Sequence, residues 1–258
     1  MDIAQTDVIP NRPIDSLTPT LQFSAKLLGV NLRNLKALAL TLGMPFFILF
    51  TVWVPSLAGD EESREVMQLL FPAVILLSVI MPGLTQATRL TRWREGRIFQ
   101  RLALTPVPLA NLMLGTAVTQ IVIGTGQGML MLLFGVLIVG LELSLGSVLL
   151  VLVGMTLAGA TFIAFGSLIA AYSRKSDLAG YVFFFSIMPL TFLASFPPEM
   201  MPDSLNALTP WLPTSMAIEW IGPLFLETRL SGDALFAGAG LAVYGLLFAL
   251  ISARKFRW

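Results

Sequence analysis

The chain has 258 residues, 56% of them hydrophobic and only 12% charged, against roughly 45–50% apolar and about 25% charged in soluble domains. Membrane lipid is the solvent that suits such a composition. It contains no cysteine and no histidine, which excludes disulfides and thiolate metal sites and removes the commonest metal ligand and general base.

Residues 1–19 hold Pro10, Pro13, Asp2, Asp7 and Asp15 without periodicity and read as a disordered tail. Residues 20–36 differ. Gln22, Lys26, Gly29, Arg33 and Lys36 recur at helical spacing beside a stripe of Leu21, Ala25, Leu28, Leu32 and Leu35. That pattern predicts an amphipathic helix lying among lipid headgroups, with its cations toward phosphate; an ordinary extension of the first span is the simpler alternative. The first apolar run starts near Ala37, behind this leader, so no cleavable signal is expected.

Six uncharged stretches follow, at about 37–57, 66–88, 110–139, 147–172, 178–194 and 234–252. Most reach the ~20 residues that a helix needs to cross ~30 Å of hydrocarbon. No Asp, Glu, Lys or Arg falls inside any of them, so the usual marks of a proton relay or voltage sensor are missing. Counting each stretch as one crossing puts all 16 Lys and Arg except Arg64 and Arg229 on one side. The positive-inside rule makes that side the cytoplasm, with both termini in it. Most of the acids, Asp60, Glu61, Glu62, Glu65, Glu142, Glu199, Asp203, Glu219, Glu227 and Asp233, map outside.

Glycines thin one face of the third span (Gly115, Gly124, Gly126, Gly128, Gly135, Gly140) and of the fourth (Gly154, Gly159, Gly166). Small residues let helix backbones approach, so these two spans are expected to pack on each other. In the fifth, Phe183, Phe184 and Phe185 with Met188 either line an apolar path or, as aromatic runs usually do, face lipid and neighbouring helices.

Residues 195–232 form a long external connection rich in proline (Pro197, Pro198, Pro202, Pro210, Pro213, Pro223) with Trp211 and Trp220. Too short and too broken for two crossings, it fits helices that dip into the leaflet and return, where protein covers the backbone. Its tryptophans would sit at headgroup depth.

The loop after the second span carries the sharpest signal. Arg89, Arg92, Arg94, Arg97 and Arg101 alternate with Trp93, Glu95, Ile98, Phe99 and Leu102, and Thr105-Pro106 stops any helix. A helix over about 92–104 would gather Ile98, Phe99 and Leu102 into an apolar knob beside Arg94, Arg97 and Arg101. A knob of this kind suits a partner's groove; a basic loop touching anionic lipid would explain the arginines but not the Phe-Leu face.

The run Arg94-Glu95-Gly96-Arg97-Ile98-Phe99-Gln100-Arg101-Leu102-Ala103-Leu104-Thr105-Pro106, then Leu109 to Gly115, resembles the cytoplasmic segment of type-2 ATP-binding-cassette exporter permeases. Phe196-Pro197, Pro202, Leu208, Pro213, Ala217 and Glu219 are similar to the Pro-rich external segment of the same family. Arg97 stands where a small hydroxyl residue is common and Thr116 where a Lys often follows the glycine, departures that bear on substrate subclass.

The resemblance implies an all-α polytopic protein: six transmembrane helices in a domain over 37–258, the interfacial helix, a cytoplasmic coupling helix and external re-entrant helices before the last span. It also implies a second permease copy, identical or related, and two copies of a cytoplasmic ATPase that hold the ATP and Mg, in a bacterial or archaeal cell membrane. Residues 94–99, Arg101, Leu102, Thr105 and Pro106 would couple to that ATPase. The second and fifth spans would line the route, making Phe71 and Met81, with Phe183, Phe184, Phe185 and Met188, the candidate path residues. Phe196, Pro197, Pro202, Trp211, Pro213 and Glu219 would belong to the external cap.

The chain itself shows no phosphate-cradling Gly-x-x-x-x-Gly-Lys-Ser/Thr loop, no catalytic set, no metal ligands and no cofactor requirement of its own. Nucleic acid is not an expected partner. A gradient-coupled carrier would need a binding site built from broken, repeated helices, and a membrane enzyme or assembly factor has few residues for chemistry. An apolar, charge-free interior suits lipids, lipid-linked glycans or amphipathic drugs as cargo.

Overall fold

The computed structural model describes residues 17–56, 61–102, 108–141, 143–196, 201–226 and 231–256. All regular structure among them is helical. The order is α1 (Leu17–Arg33), α2 (Leu35–Ser56), α3 (Glu61–Glu95), α4 (Ile98–Leu102), α5 (Leu109–Phe134, continued by a π-helical turn Gly135–Val139), α6 (Leu145–Tyr172), α7 (Ser176–Ala194), the short helices α8 (Asp203–Leu208), α9 (Pro213–Ile221) and α10 (Pro223–Leu226), and α11 (Gly232–Lys255).

Five described stretches are long and apolar enough to cross a membrane: Leu70–Glu95, Ala110–Ile138, Leu145–Tyr172, Ser176–Ala194 and Gly232–Lys255. In α2 the qualifying apolar stretch, Thr41–Thr51, is shorter. The protein is therefore an all-α, multi-pass membrane protein. Its lipid-facing surface carries large exposed hydrophobics such as Phe47, Leu130, Leu149, Phe185 and Leu246, as expected where lipid replaces water.

The hub is α3, whose segment from Phe71 to Gly83 is buried throughout. It packs against α2, α5, α6 and α7. The closest backbone-to-backbone approach at the described glycines pairs Gly83 with Gly166 of α6, where an added side-chain carbon would strike the facing backbone. The third and fourth spans do pack on each other, as expected, with Gly128 of α5 against Met155 of α6, but most of their glycines open toward α3 or elsewhere: Gly124 lies on Pro82, Gly159 on Val79 and Gly135 on Phe71. Small residues on α5 and α6 make room for α3, because the most buried helix must be reached from several sides.

A correction concerns where α3 stops. The apolar run ends at Thr88, but the helix continues through Arg89, Arg92 and Arg94 to Glu95. Arg89 is only partly exposed; its Nη2 donates to Asn31 Oδ1 of α1 at 2.7 Å, and its two terminal nitrogens lie 3.0 and 3.2 Å from the Gln120 amide oxygen of α5 in that amide's satisfied orientation. Nearby, Gln86 of α3 donates to Thr116 at 3.1 Å and Ser167 at 3.3 Å, and Gln127 donates to Thr41 at 2.9 Å. The interior is uncharged over most of its depth but carries a polar seam, in which the Gln86 and Gln127 amide nitrogens are hydrogen-bonded while their buried oxygens have no partner among the described residues.

α1 lies against α5. Its buried centre is Ser24, whose one hydroxyl proton is shared between the Thr20 carbonyl at 2.8 Å and the Gly115 carbonyl at 3.1 Å, while Leu21 and Leu32 of the expected apolar stripe are exposed. Lys26 and Arg33 are exposed as well.

Candidate functional site

The basic segment forms an elbow rather than the single helix expected over 92–104. α3 ends at Glu95, the chain turns at Gly96–Arg97, and α4 runs from Ile98 to Leu102. The turn is closed by the Gly96 N–H donating to the Arg92 carbonyl at 2.9 Å and the Arg97 N–H donating to the Arg94 carbonyl at 3.1 Å. Arg97 has φ of 53°, left-handed backbone that costs a non-glycine residue roughly 1–2 kcal/mol. The conformational burden thus falls on Arg97, although a glycine stands immediately before it. Thr105 and Pro106 lie outside the described residues.

Of the expected apolar knob, Phe99 points inward, Ile98 is half-buried and the Leu102 side chain lies outside the described residues. Phe99 is 1% exposed and clusters with Leu90 of α3, Ala170 of α6 and Phe256 beyond α11. Rings from four parts of the chain meet edge to face: Phe23 with Trp93 at 6.4 Å, Trp93 with Phe99 at 5.9 Å, and Phe99 with Phe256 at 5.5 Å. Such pairs add about 0.5–1.5 kcal/mol each beyond the area they bury. Phe99 is therefore the peg by which the elbow is fixed to its own bundle. Spacing reveals an apolar face but not what covers it, and Phe256 lies more than 150 positions away in the sequence.

Two polar contacts complete the attachment. The Arg94 guanidinium stacks over Phe256, 5.6 Å from the ring centre, and donates to the Ala171 carbonyl at 3.3 Å, near the end of α6 where the last carbonyls have no backbone donor. The Glu95 carboxylate accepts from the Ser176 N–H at 2.8 Å. That N–H opens α7, whose N-cap residue, Lys175, supplies no side-chain cap; a carboxylate arriving from α3 satisfies the donor and the helix dipole together. The elbow is thereby tied to the ends of α3, α6, α7 and α11. Its outward surface consists of Arg92, Glu95, Gly96, Arg97, Gln100 and Arg101, with Ile98 half-buried.

The candidate path residues are not brought onto one surface. Phe71, Met81 and Phe183 are 1%, 4% and 0% exposed and belong to the core. Phe71 packs on Phe225 at 5.7 Å and Phe183 on Phe165 at 5.8 Å. Met188 is partly buried against the same core. Phe184 meets Phe185 edge to face at 5.7 Å, and only Phe185, 70% exposed, stands clear of the protein.

At the opposite end, the Pro-rich segment folds into α8, a 3-10 turn over Thr209–Trp211, α9 and α10. Pro202 precedes α8 and Pro213 opens α9, positions where a missing N–H costs nothing; Pro197 lies outside the described residues. α9 packs into the bundle on α6, α7 and α11. Its Trp220 is not a headgroup anchor: it is 8% exposed, fills the space above Gly154 of α6 and Gly238 of α11, and donates from Nε1 to the Leu150 carbonyl at 3.0 Å. Trp211 is 61% exposed, its carbonyl accepting from the Tyr244 hydroxyl at 2.9 Å. Phe196 and Glu219 are exposed too.

The described residues thus form a helical bundle with a basic elbow at one end and a proline-started helical segment at the other. No individual curated protein matches the chain. The family model described as ABC-2 type transporter matches residues 27–226, from α1 through α10, which takes in the elbow and the cap. The chain belongs to the ABC-2 type transporter family, and is a membrane permease component of that kind.

Proposed function

We propose that the chain is the permease subunit of an ATP-driven exporter, moving an amphipathic or lipid-like substrate out across the cytoplasmic membrane. Energy comes from a separate ATPase, two copies of which bind ATP and Mg and dock at the elbow from the cytoplasmic side. A second permease copy completes the transporter. The observation that carries this reading is the family match together with an exposed arginine surface mounted on a rigid elbow.

The geometry supports a specific transmission. A rigid attachment is required for a docked motor to move helices instead of bending a loop, and Phe99, Arg94 and Glu95 provide it. Because they grip four helices, closure of the ATPase pair would shift the inner ends of α3, α6, α7 and α11 as a unit. Packed interfaces respond to such shifts by switching between discrete arrangements. The exposed Arg92, Arg97 and Arg101 supply charge for guiding and orienting an acidic partner surface.

Affinity purification in mild detergent, with the products of neighbouring genes co-expressed, tests the proposal. A soluble ATPase is expected to co-purify, and its turnover in vesicles to depend on the permease. Vesicles that transport cargo with this chain alone and no nucleotide would refute it.

A further inference from the structure

We propose that the cap holds a binding site for amphipathic organic cations, and that such cations are among the exporter's cargo; the second clause rests on the permease reading above. A cavity of about 450 Å³ lies between the end of α7, the α8–α9 segment and the first turns of α11. That volume falls within the roughly 300–1,000 Å³ of small-molecule sites. Among the described residues, two carboxylates, Glu219 and Asp233, line it and no Lys or Arg does.

Neither acid has an ion-pair partner among the described residues. Asp233 has a local explanation, since it stands in the first turn of α11, where negative charge is favourable. Glu219 has none. It occupies the last turn of α9, the end at which the helix dipole disfavours an anion. A second, independent sign lies one turn earlier: Ser215, half-buried on α9, lines the same cavity, and its buried hydroxyl oxygen has no hydrogen-bond partner among the described residues. Residues four apart share a helix face, so Ser215 and Glu219 present an unmet polar group and an uncompensated charge to one space.

The remaining walls decide what kind of cation fits. Phe196, Phe236, Met201 and Met216 border the cavity. Ring faces attract cations and thioethers adapt to irregular apolar shapes. A small hydrated ion would leave these surfaces unused. An organic cation with an apolar body and delocalised charge uses both the walls and the carboxylates.

Binding of tetraphenylphosphonium and of its anionic isostere tetraphenylborate to the purified permease, corrected for empty micelles, separates charge from greasiness. Saturable binding of the cation in clear preference to the anion is expected. Glu219→Gln should weaken the cation by about fivefold and the double variant with Asp233→Asn by more, while Glu219→Asp keeps the preference. Equal binding of the two ions, or a preference unchanged in the double variant, overturns the site; so does loss of cation binding in Glu219→Gln that Glu219→Asp fails to restore. The ATPase takes no part in this assay. Failure of cation binding beside a co-purifying ATPase therefore removes only the site, whereas cation binding with no ATPase recruited removes the permease reading and leaves the site.

Discussion

Phe99 and Arg101 stand two positions apart and do opposite work. Phe99 is sealed among Leu90, Ala170 and Phe256, and truncating a buried phenylalanine costs about 3–5 kcal/mol. Phe99→Ala should loosen the elbow and lower the thermal midpoint of the purified permease, and Phe99→Asp should do so more severely. Arg101 is exposed, so Arg101→Glu should leave that midpoint unchanged. It should instead depress ATPase turnover in reconstituted vesicles, because charge reversal sets like charges against each other at an acidic docking surface. Scanning fluorimetry beside a turnover assay separates the two. Equal loss of stability in both variants would contradict the division between peg and contact surface.

Helix boundaries were legible in the sequence wherever the end of the apolar run coincided with the end of the backbone hydrogen bonding, as in α6, where Tyr172 closes both. The signal failed at α3. Hydropathy reports preference for solvent, so it ended the span at Thr88; the backbone continues to Glu95 because Asn31 and Gln120, from two other helices, accept the Arg89 side chain. Likewise the Phe-Leu face of the elbow was visible as periodicity, but the ring that meets its Phe99, Phe256, arrives from the far end of the chain. The cation cavity left no local trace at all, since Glu219 and Asp233 are brought together only when α9 packs on α11. At this scale the link between α3 and α7 can be tested. Glu95→Ala removes the acceptor for the Ser176 N–H, a cap-like loss of about 0.5–2 kcal/mol, whereas Glu95→Gln keeps an oxygen in place. Hydrogen exchange at the first turn of α7 should accelerate in the alanine variant and far less in the glutamine one; identical rates would show that the carboxylate does not hold that turn.

For the molecule as a whole, the proposed orientation puts the elbow and both termini in the cytoplasm and the cap outside. The absence of native cysteine makes each introduced thiol a clean reporter. In intact cells Glu62→Cys should react with a membrane-impermeant maleimide, and Lys175→Cys only after the membrane is opened. The reverse pattern would invert the protein and carry the elbow away from any cytoplasmic ATPase.

The Trp220 indole fills the crevice between α6 and α11. These two helices consequently cannot reach their final spacing until the intervening segment is seated between them. During synthesis the last crossing would thus lock a keystone already in place, and a chain cut short before α11 would leave the indole and the groove around Gly154 open to lipid.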